Sequence, residues 1–285
     1  MILVKELKNR IIRELEGLYP DRERISLAEI LIQNFTGLDK NRIISEPELK
    51  LDDHDETIIL QKLDELKQHK PVQYVSGKAF FYDFELEVSP AVLIPRPETE
   101  ELVNWLSDDY EFVSGLRILD IGTGSGCIII SLGKILKDNY LAAVDISEEA
   151  LAIAGRNANN LSVPVDLIKM DILDEGQWEQ AGKFDVIISN PPYVRESEKQ
   201  VMNANVLDYE PHKALFVPDE DPLLFYKAIS GFSKKHLQPG GALYLEINEN
   251  LGREIVDLLN NEGFGKVTLK KDMQGKDRMV KALWY

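Results

Sequence analysis

Four residues, Asn190-Pro191-Pro192-Tyr193, follow directly on the apolar run Phe184-Asp185-Val186-Ile187-Ile188-Ser189. A continuous apolar run suits a parallel strand covered on both faces, and two prolines end its ladder because neither carries an N–H. Proline also holds the residue before it extended, so Asn190 and Pro191 are set in geometry while their carbonyl oxygens stay free. The junction is expected to form a rigid ledge of acceptors at the edge of a sheet. Such a ledge matches an NH2 group that must be gripped by its hydrogens while its nitrogen is aimed at an electrophile. Tyr193 adds a flat face for the planar group bearing that nitrogen. The competing reading is an ordinary strand-ending turn, and the surrounding sequence has to choose.

Upstream, Arg117-Ile118-Leu119-Asp120-Ile121 runs into Gly122-Thr123-Gly124-Ser125-Gly126 and then Cys127-Ile128-Ile129-Ile130, which reads as strand, glycine loop and helix. Glycines let a backbone pass close to a ligand, and the helix N-terminus offers unpaired N–H groups. No lysine follows the glycines, and the third glycine comes one residue too early for the dinucleotide pattern, so a pyrophosphate ligand is disfavoured. Asp145 ends the apolar stretch Leu141-Ala142-Ala143-Val144, where an acid is placed to take both hydroxyls of a ribose. A nucleoside without phosphates fits these features. Asp171, after Val165-Asp166-Leu167-Ile168-Lys169-Met170, is a third strand-end acid suited to an adenine amino group. For Asp145 and Asp171 taken singly, a helix cap is the plainer alternative.

In this order and spacing, Asp120 to Gly126, Asp145, Asp171 and Asn190 to Tyr193 resemble a class I S-adenosylmethionine-dependent methyltransferase of the kind that methylates planar NH2 groups. Three further segments, Val92-Leu93-Ile94-Pro95-Arg96-Pro97-Glu98-Thr99-Glu100, Tyr209-Glu210-Pro211-His212-Lys213-Ala214-Leu215 and Asp277-Arg278-Met279-Val280, are similar to those of the release-factor glutamine methyltransferases, the HemK family. The resemblance spans the whole chain and implies a doubly wound, seven-stranded Rossmann-like α/β sheet with a small N-terminal helical bundle and a connecting β-hairpin. It implies S-adenosylmethionine as cofactor, held by Gly122, Thr123, Gly124, Ser125, Gly126, Asp145, Ile146, Asp171, Ile172 and Asn190, and S-adenosylhomocysteine as product. It implies a substrate amide held by Asn190, Pro191, Pro192 and Tyr193, with Asn190, Pro191 and Tyr193 as the catalytic set. The implied partner is a peptide chain release factor, methylated on the glutamine of its Gly-Gly-Gln motif. Pro222 and Ile172 depart from the family pattern, where glycine and an aromatic residue are common; the second bears on how an adenine is sandwiched.

Around these motifs, 285 residues with 44% apolar content have room for two cores. The expected domains are helices over 1–72, a hairpin linker over 73–95 and the catalytic sheet over 96–285. Leu3, Leu7, Ile11, Leu15 and Leu18 share one helical face. Ser26-Leu27-Ala28-Glu29 reads as a capping box opening a helix that Gly37 closes, and 55–68 is again helical. Residues 78–88 suggest the hairpin. Strands are expected over 117–121, 141–145, 165–171, 184–189, 242–248, 266–271 and 278–284, the last antiparallel by resemblance.

Net charge is −16. Residues 1–70 hold 12 basic and 15 acidic side chains, which leaves a net −13 for 71–285. Duplex binding rests on cations that displace phosphate counterions, so this balance counts against an adenine-N6 methyltransferase acting on DNA or RNA, the rival enzyme. A non-enzymatic nucleoside-binding regulator, the other rival, has no need of the ledge. Lys266, Lys270 and Lys271 are expected to be a solvated face. The single cysteine, Cys127, excludes an internal disulfide and fits a reducing compartment, where it packs as a small apolar residue. No run reaches the ~20 apolar residues that span a bilayer, and acids come early at the start. The expectation is a cytoplasmic monomer without metal or direct nucleic-acid contact, and His212 is a candidate for touching substrate.

Overall fold

The computed structural model describes residues 1–285, which divide into two compact units, one of residues 1–77 with 203–209 and one of 78–202 with 210–285. In the first unit a short antiparallel pair, β1 (Ile2–Leu3) and β2 (Lys50–Leu51), accompanies five helices, α1 (Val4–Glu14), α2 (Asp21–Thr36), α3 (Lys40–Ser45), α4 (Asp53–Lys67) and α5 (Val72–Ser76). Leu7, Ile11 and Leu15 face the core as their spacing requires, joined by Val4, Leu31, Ile59 and Leu63. Leu18 does not join them and is 39% exposed. Helix α1 has already ended at Glu14, and Gly17, at φ 82°, turns the chain before Leu18.

The Ser26 capping box does not form. Helix α2 begins six residues earlier, after Pro20 with its fixed φ, and Asp21 and Glu23 in the first turn suit the positive end of the helix dipole. Ser26 is therefore internal, and its hydroxyl donates back to the Arg22 carbonyl. Gly37 does close the helix, in the left-handed conformation at φ 71° with its N–H on the Gln33 carbonyl. Helix α4 is capped by Asp52, whose carboxylate accepts from the Asp55 N–H at 2.7 Å.

The boundary at Gly77 differs from the expected one. Helix α5 groups with the first unit, and the hairpin β3 (Lys78–Phe81) and β4 (Phe84–Glu87) groups with the second. Phe81 and Leu86 of that hairpin lie in the same apolar cluster as Leu102, Ile118 and Val186, so burial attaches it to the sheet. The segment 203–209, containing α9 (Ala204–Tyr209), groups with the first unit although it is far away in sequence. There the Tyr209 hydroxyl donates to the Gln68 carbonyl at 2.8 Å.

The second unit is a seven-stranded sheet. Its strands are β5 (Arg117–Ile121), β6 (Tyr140–Asp145), β7 (Asp166–Lys169), β8 (Phe184–Ser189), β11 (Leu237–Glu246), β12 (Gly265–Lys271) and β13 (Asp277–Leu283), in the spatial order β12-β13-β11-β8-β5-β6-β7. The pairs from β11 to β7 are parallel, and β13 runs antiparallel to both neighbours. Parallel neighbours need crossovers, supplied among others by α7 (Cys127–Ile135), α8 (Glu148–Asn160) and α10 (Leu224–His236). Helices α6 (Pro97–Asp109) and α11 (Gly252–Asn261) complete the layers. One face packs Leu119, Ile187 and Leu245 with α10 and α11, and the other packs Ile118, Val186 and Tyr244 with α6 and α7. A short parallel pair, β9 (Val194–Arg195) and β10 (Phe216–Val217), lies outside the main sheet.

Lys270 lies over the Trp105 ring and Lys271 pairs with Asp277 at 3.2 Å. No helix is long and apolar enough to cross a membrane.

Candidate active site

Register brings the motifs together. Ile121 pairs with Val144 on one side and Ser189 on the other, Asp145 pairs with Lys169, and Leu245 pairs with Ser189. The glycine loop, Asp145, the Met170-Asp171 turn, Asn190 and Glu246 therefore leave one edge of the sheet side by side. That edge is the carboxyl end of the strands, beside the point where strand order reverses and where open α/β sheets bind ligands. The Ser189 hydroxyl donates to the Ile121 carbonyl at 2.7 Å and ties the ends of β8 and β5.

A cavity of about 630 Å³ opens here. Gly122, Thr123, Gly124, Ser125, Asp145, Ile146, Asp171, Ile172, Asn190, Pro191 and Pro192 all reach its walls. Gly126 and Tyr193 do not. Gly126, at φ 83°, starts α7, and a Cβ there would meet Ile130 Cδ1 at 2.9 Å, so its lack of a side chain serves helix packing. Gly122 and Gly124 hold φ values of 75° and 55° with open space where a Cβ would stand; there conformation is what requires glycine.

The loop grips Asp145. Its Oδ2 accepts from the Gly124 N–H and its Oδ1 from the Ser147 N–H, both at 2.9 Å. Burial pushes this carboxyl upward, against the lowering effect of those N–H groups. Capping of α8 falls to Ser147, whose hydroxyl oxygen accepts from the Ala150 N–H, so Asp145 is free of that duty. Asp171 accepts from the Leu173 N–H at 2.9 Å in a local turn while lining the cavity. Behind the loop, fully buried Asp120 accepts from the Thr123 hydroxyl at 2.7 Å, and burial pushes its carboxyl up to about 7. Burial likewise pushes the Cys127 thiol up to about 12, away from reactivity.

At the ledge, the Asn190 side-chain NH2 donates to Thr99 Oγ1 at 3.1 Å, which leaves the amide oxygen as its other end. Thr99 in turn donates to Glu246 Oε2 at 2.6 Å, and the Tyr193 hydroxyl donates to Glu246 Oε1 at 3.0 Å. Tyr193 is thus anchored behind the ledge, and Asn248 Nδ2 donates to its carbonyl at 3.1 Å. Burial raises the Glu246 carboxyl, opposed by the two hydroxyl donors and Arg278.

Residues 90–93, Pro95 and Arg96 on one segment and residues 211–214 and Phe216 on another also line the cavity, and His212 meets Phe216 edge-on at 5.2 Å. Buried Glu210 joins these segments, accepting from the Ile94 N–H at 3.3 Å and from Arg96 at 2.6 Å.

Residues 98–212 match the family model for the methyltransferase small domain, and residues 6–77 match that for the PrmC N-terminal domain. The release factor glutamine methyltransferase of Flavobacterium psychrophilum is 43% identical over 98% of this chain and 99% of its own length. The chain belongs to the release factor glutamine methyltransferase family. The Bacteroides thetaiotaomicron member is 42% identical over 95% of this chain and 96% of its own. Among solved structures, a Pyrococcus furiosus methyltransferase superposes with a TM-score of 0.52 at 19% identity, covering 81% of this chain and 98% of its own. The 16S rRNA N2 G1207 methyltransferase of Thermus thermophilus gives 0.53 at 19% over 73% of this chain and 50% of its own. At such identities the likeness is one of fold, and it agrees with the seven-stranded sheet.

Thr99, Glu246 and Asn248 went unsuspected as site residues. For Glu246 a signal existed: it is a lone acid in Ala242-Leu243-Tyr244-Leu245-Glu246-Ile247, the same strand-end pattern that singles out Asp145.

Proposed function

We propose that this chain transfers a methyl group from S-adenosylmethionine to the side-chain nitrogen of a glutamine, that of the Gly-Gly-Gln motif of peptide chain release factors in the cytoplasm. The observation that carries this reading is the Asn190 amide, turned so that its NH2 meets Thr99 and its oxygen is the end left for a ligand, on a wall shared with the glycine loop. The names of relatives that match almost end to end support the same substrate.

The residues present fit the cofactor. The Asp145 carboxylate is held by two N–H donors and keeps a lone pair on each oxygen for two ribose hydroxyls. Ile146 and Ile172 supply apolar flanks for a base, and Asp171 an acceptor for its amino group. The bound cofactor supplies an electrophilic methyl carbon on a sulfonium.

Everything else falls to the ledge. An amide nitrogen is a poor nucleophile because its lone pair is delocalised into the carbonyl, so positioning must supply much of the rate, up to ~7 to 11 kcal/mol for two aligned reactants. The Asn190 oxygen and the Pro191 carbonyl would each accept one amide hydrogen and leave the nitrogen facing the electrophile. Neither is a base, and the methylated nitrogen loses its proton to water. Tyr193, anchored on Glu246, holds the end of the ledge. We assign recognition of the release-factor body to the first unit, which contains no motif with chemical content.

Mass spectrometry of a release factor incubated with enzyme and labelled cofactor tests the assignment. One added methyl on the Gly-Gly-Gln glutamine is expected. Labelling of adenine in oligonucleotides in place of the factor would replace this reading by the nucleic-acid one.

A further inference from the structure

The amide of Asn190 has two orientations of nearly equal size and shape, related by a half-turn about its terminal bond, and only one presents oxygen to a substrate NH2. Sterics do not choose between them; the polarity of the hydrogen bonds behind Asn190 does. Glu246 and Thr99 are 0% and 2% exposed, so water does not compete for their bonds. Glu246 is the acceptor on both of its oxygens, from Thr99 and from Tyr193, whereas a threonine hydroxyl has one proton and two lone pairs. With its proton given to Glu246 at 2.6 Å, Thr99 Oγ1 has only lone pairs to show to Asn190, 3.1 Å away. The only end of the Asn190 amide that can meet a lone pair is the NH2.

We propose that Glu246, acting through Thr99, is a positioning residue that sets which end of the Asn190 amide faces the substrate, and so makes the ledge select a primary amide over a carboxylate. This rests on the assignment of Asn190 as the acceptor for the substrate amide. The same carboxylate takes the Tyr193 hydroxyl on its other oxygen, so one buried acceptor orders both ends of the loop 190–193. Glu246 touches neither reactant.

Reversing the polarity reverses the selection. A valine at 99 keeps the shape and removes the relay, so the Asn190 amide loses the lone pair that held its NH2. A glutamine at 246 offers a donor as well as an acceptor, which releases Thr99 to give its proton to the Asn190 oxygen and turn the NH2 outward. An outward NH2 repels the hydrogens of a glutamine and welcomes a carboxylate.

The test compares a release factor carrying its Gly-Gly-Gln glutamine with one in which that glutamine is replaced by glutamate, each measured for affinity by titration in the presence of S-adenosylhomocysteine. The wild-type enzyme is expected to prefer the glutamine form. Thr99→Val should erase or invert that preference and lower kcat by about 10²-fold, the usual effect of losing one oriented group at a reacting centre, while cofactor affinity holds. Thr99→Ser, which restores the hydroxyl, should restore both. Glu246→Gln should also lower the preference, and should shift the glutamine-to-glutamate ratio no further in the Thr99→Val background, because both reach Asn190 through one relay. A merely structural role would weaken both factors alike and leave their ratio untouched. An unchanged ratio in Thr99→Val, or additive effects of the two substitutions on that ratio, overturns the proposal. If the wild-type enzyme itself shows no preference, or Asn190→Ala leaves the rate intact, the assignment of Asn190 has failed instead.

Discussion

Asp145→Ala isolates the contact assigned to the ribose. In the folded chain the carboxylate is already fixed by the Gly124 and Ser147 N–H groups at 2.9 Å each, so binding a diol there costs little further ordering. A hydrogen bond to a charged group contributes ~1.5 to 3 kcal/mol net. Two such bonds would double the figure, but the carboxylate shares its charge with two donors, and water filling the space left by alanine recovers part of the second. The expected loss is therefore about 1.5 to 3 kcal/mol, or roughly 10- to 150-fold in Kd. Helix α8 should survive, because Ser147 and not Asp145 provides its cap. Titration calorimetry with S-adenosylhomocysteine measures the loss, and a 2′-deoxy analogue supplies the control: removal of that hydroxyl should weaken wild-type binding and cost far less in Asp145→Ala. Unchanged affinity in the variant, or an equal penalty for the deoxy analogue in both proteins, would show that the ribose sits elsewhere and that Asp145 only orders the glycine loop.

Asn190→Ala should abolish methyl transfer and keep most cofactor affinity, as read by single-turnover assay and titration; parallel loss of both would assign Asn190 to the cofactor. Leu63→Ala, in the core of the first unit and 1% exposed, should cost about 2 to 5 kcal/mol of that unit's stability, visible in urea melts. If that unit recognises the release-factor body, kcat/KM should fall for the intact factor and hold for a short Gly-Gly-Gln peptide. Asp120 should impose a pH dependence on stability, since its carboxyl is pushed from 3.8 up to about 7 by burial. An acid raised on folding contributes stability that is full below its unfolded pKa and is lost as pH rises through its folded one, here up to roughly 4 kcal/mol. Asp120→Asn should flatten the Tm profile between about pH 4 and 7.

Strand positions were legible because continuous apolar runs bounded by glycine, proline or acids have few other homes. Residues 117–121 and 184–189 coincide with β5 and β8, and the antiparallel last strand follows the family pattern. Helix starts were less so. Ser26 carries the right residue types for a cap, but Pro20 and the acids after it compete for the same role and lie earlier in the chain. Leu18 fits the apolar period of α1, and periodicity does not register that Gly17 has already turned the backbone. The attachment of residues 203–209 to the first unit is a long-range contact with no local signature.

The site shows the same division. Residues that lie within a few positions of a conformational signal do line the cavity: Gly122 and Gly124, Asp145 at the end of its strand, Asn190 before its prolines. Glu246 carries an identical local signal, an acid closing an apolar run, yet its meaning depends on strand order. Only when β11 lies beside β8, with Leu245 opposite Ser189, does Glu246 come to stand behind Asn190. Thr99 reaches the same point from α6, ninety-one residues away from Asn190 in the chain. Groups that face a ligand are constrained locally by their own backbone, whereas groups that orient them are constrained by the packing of the sheet. A buried carboxylate that takes a hydroxyl from α6 on one oxygen and a hydroxyl from the loop after β8 on the other costs folding energy through desolvation, and at the end of β11 that cost is offset by a gain in orientation that apolar residues of the same volume could not provide.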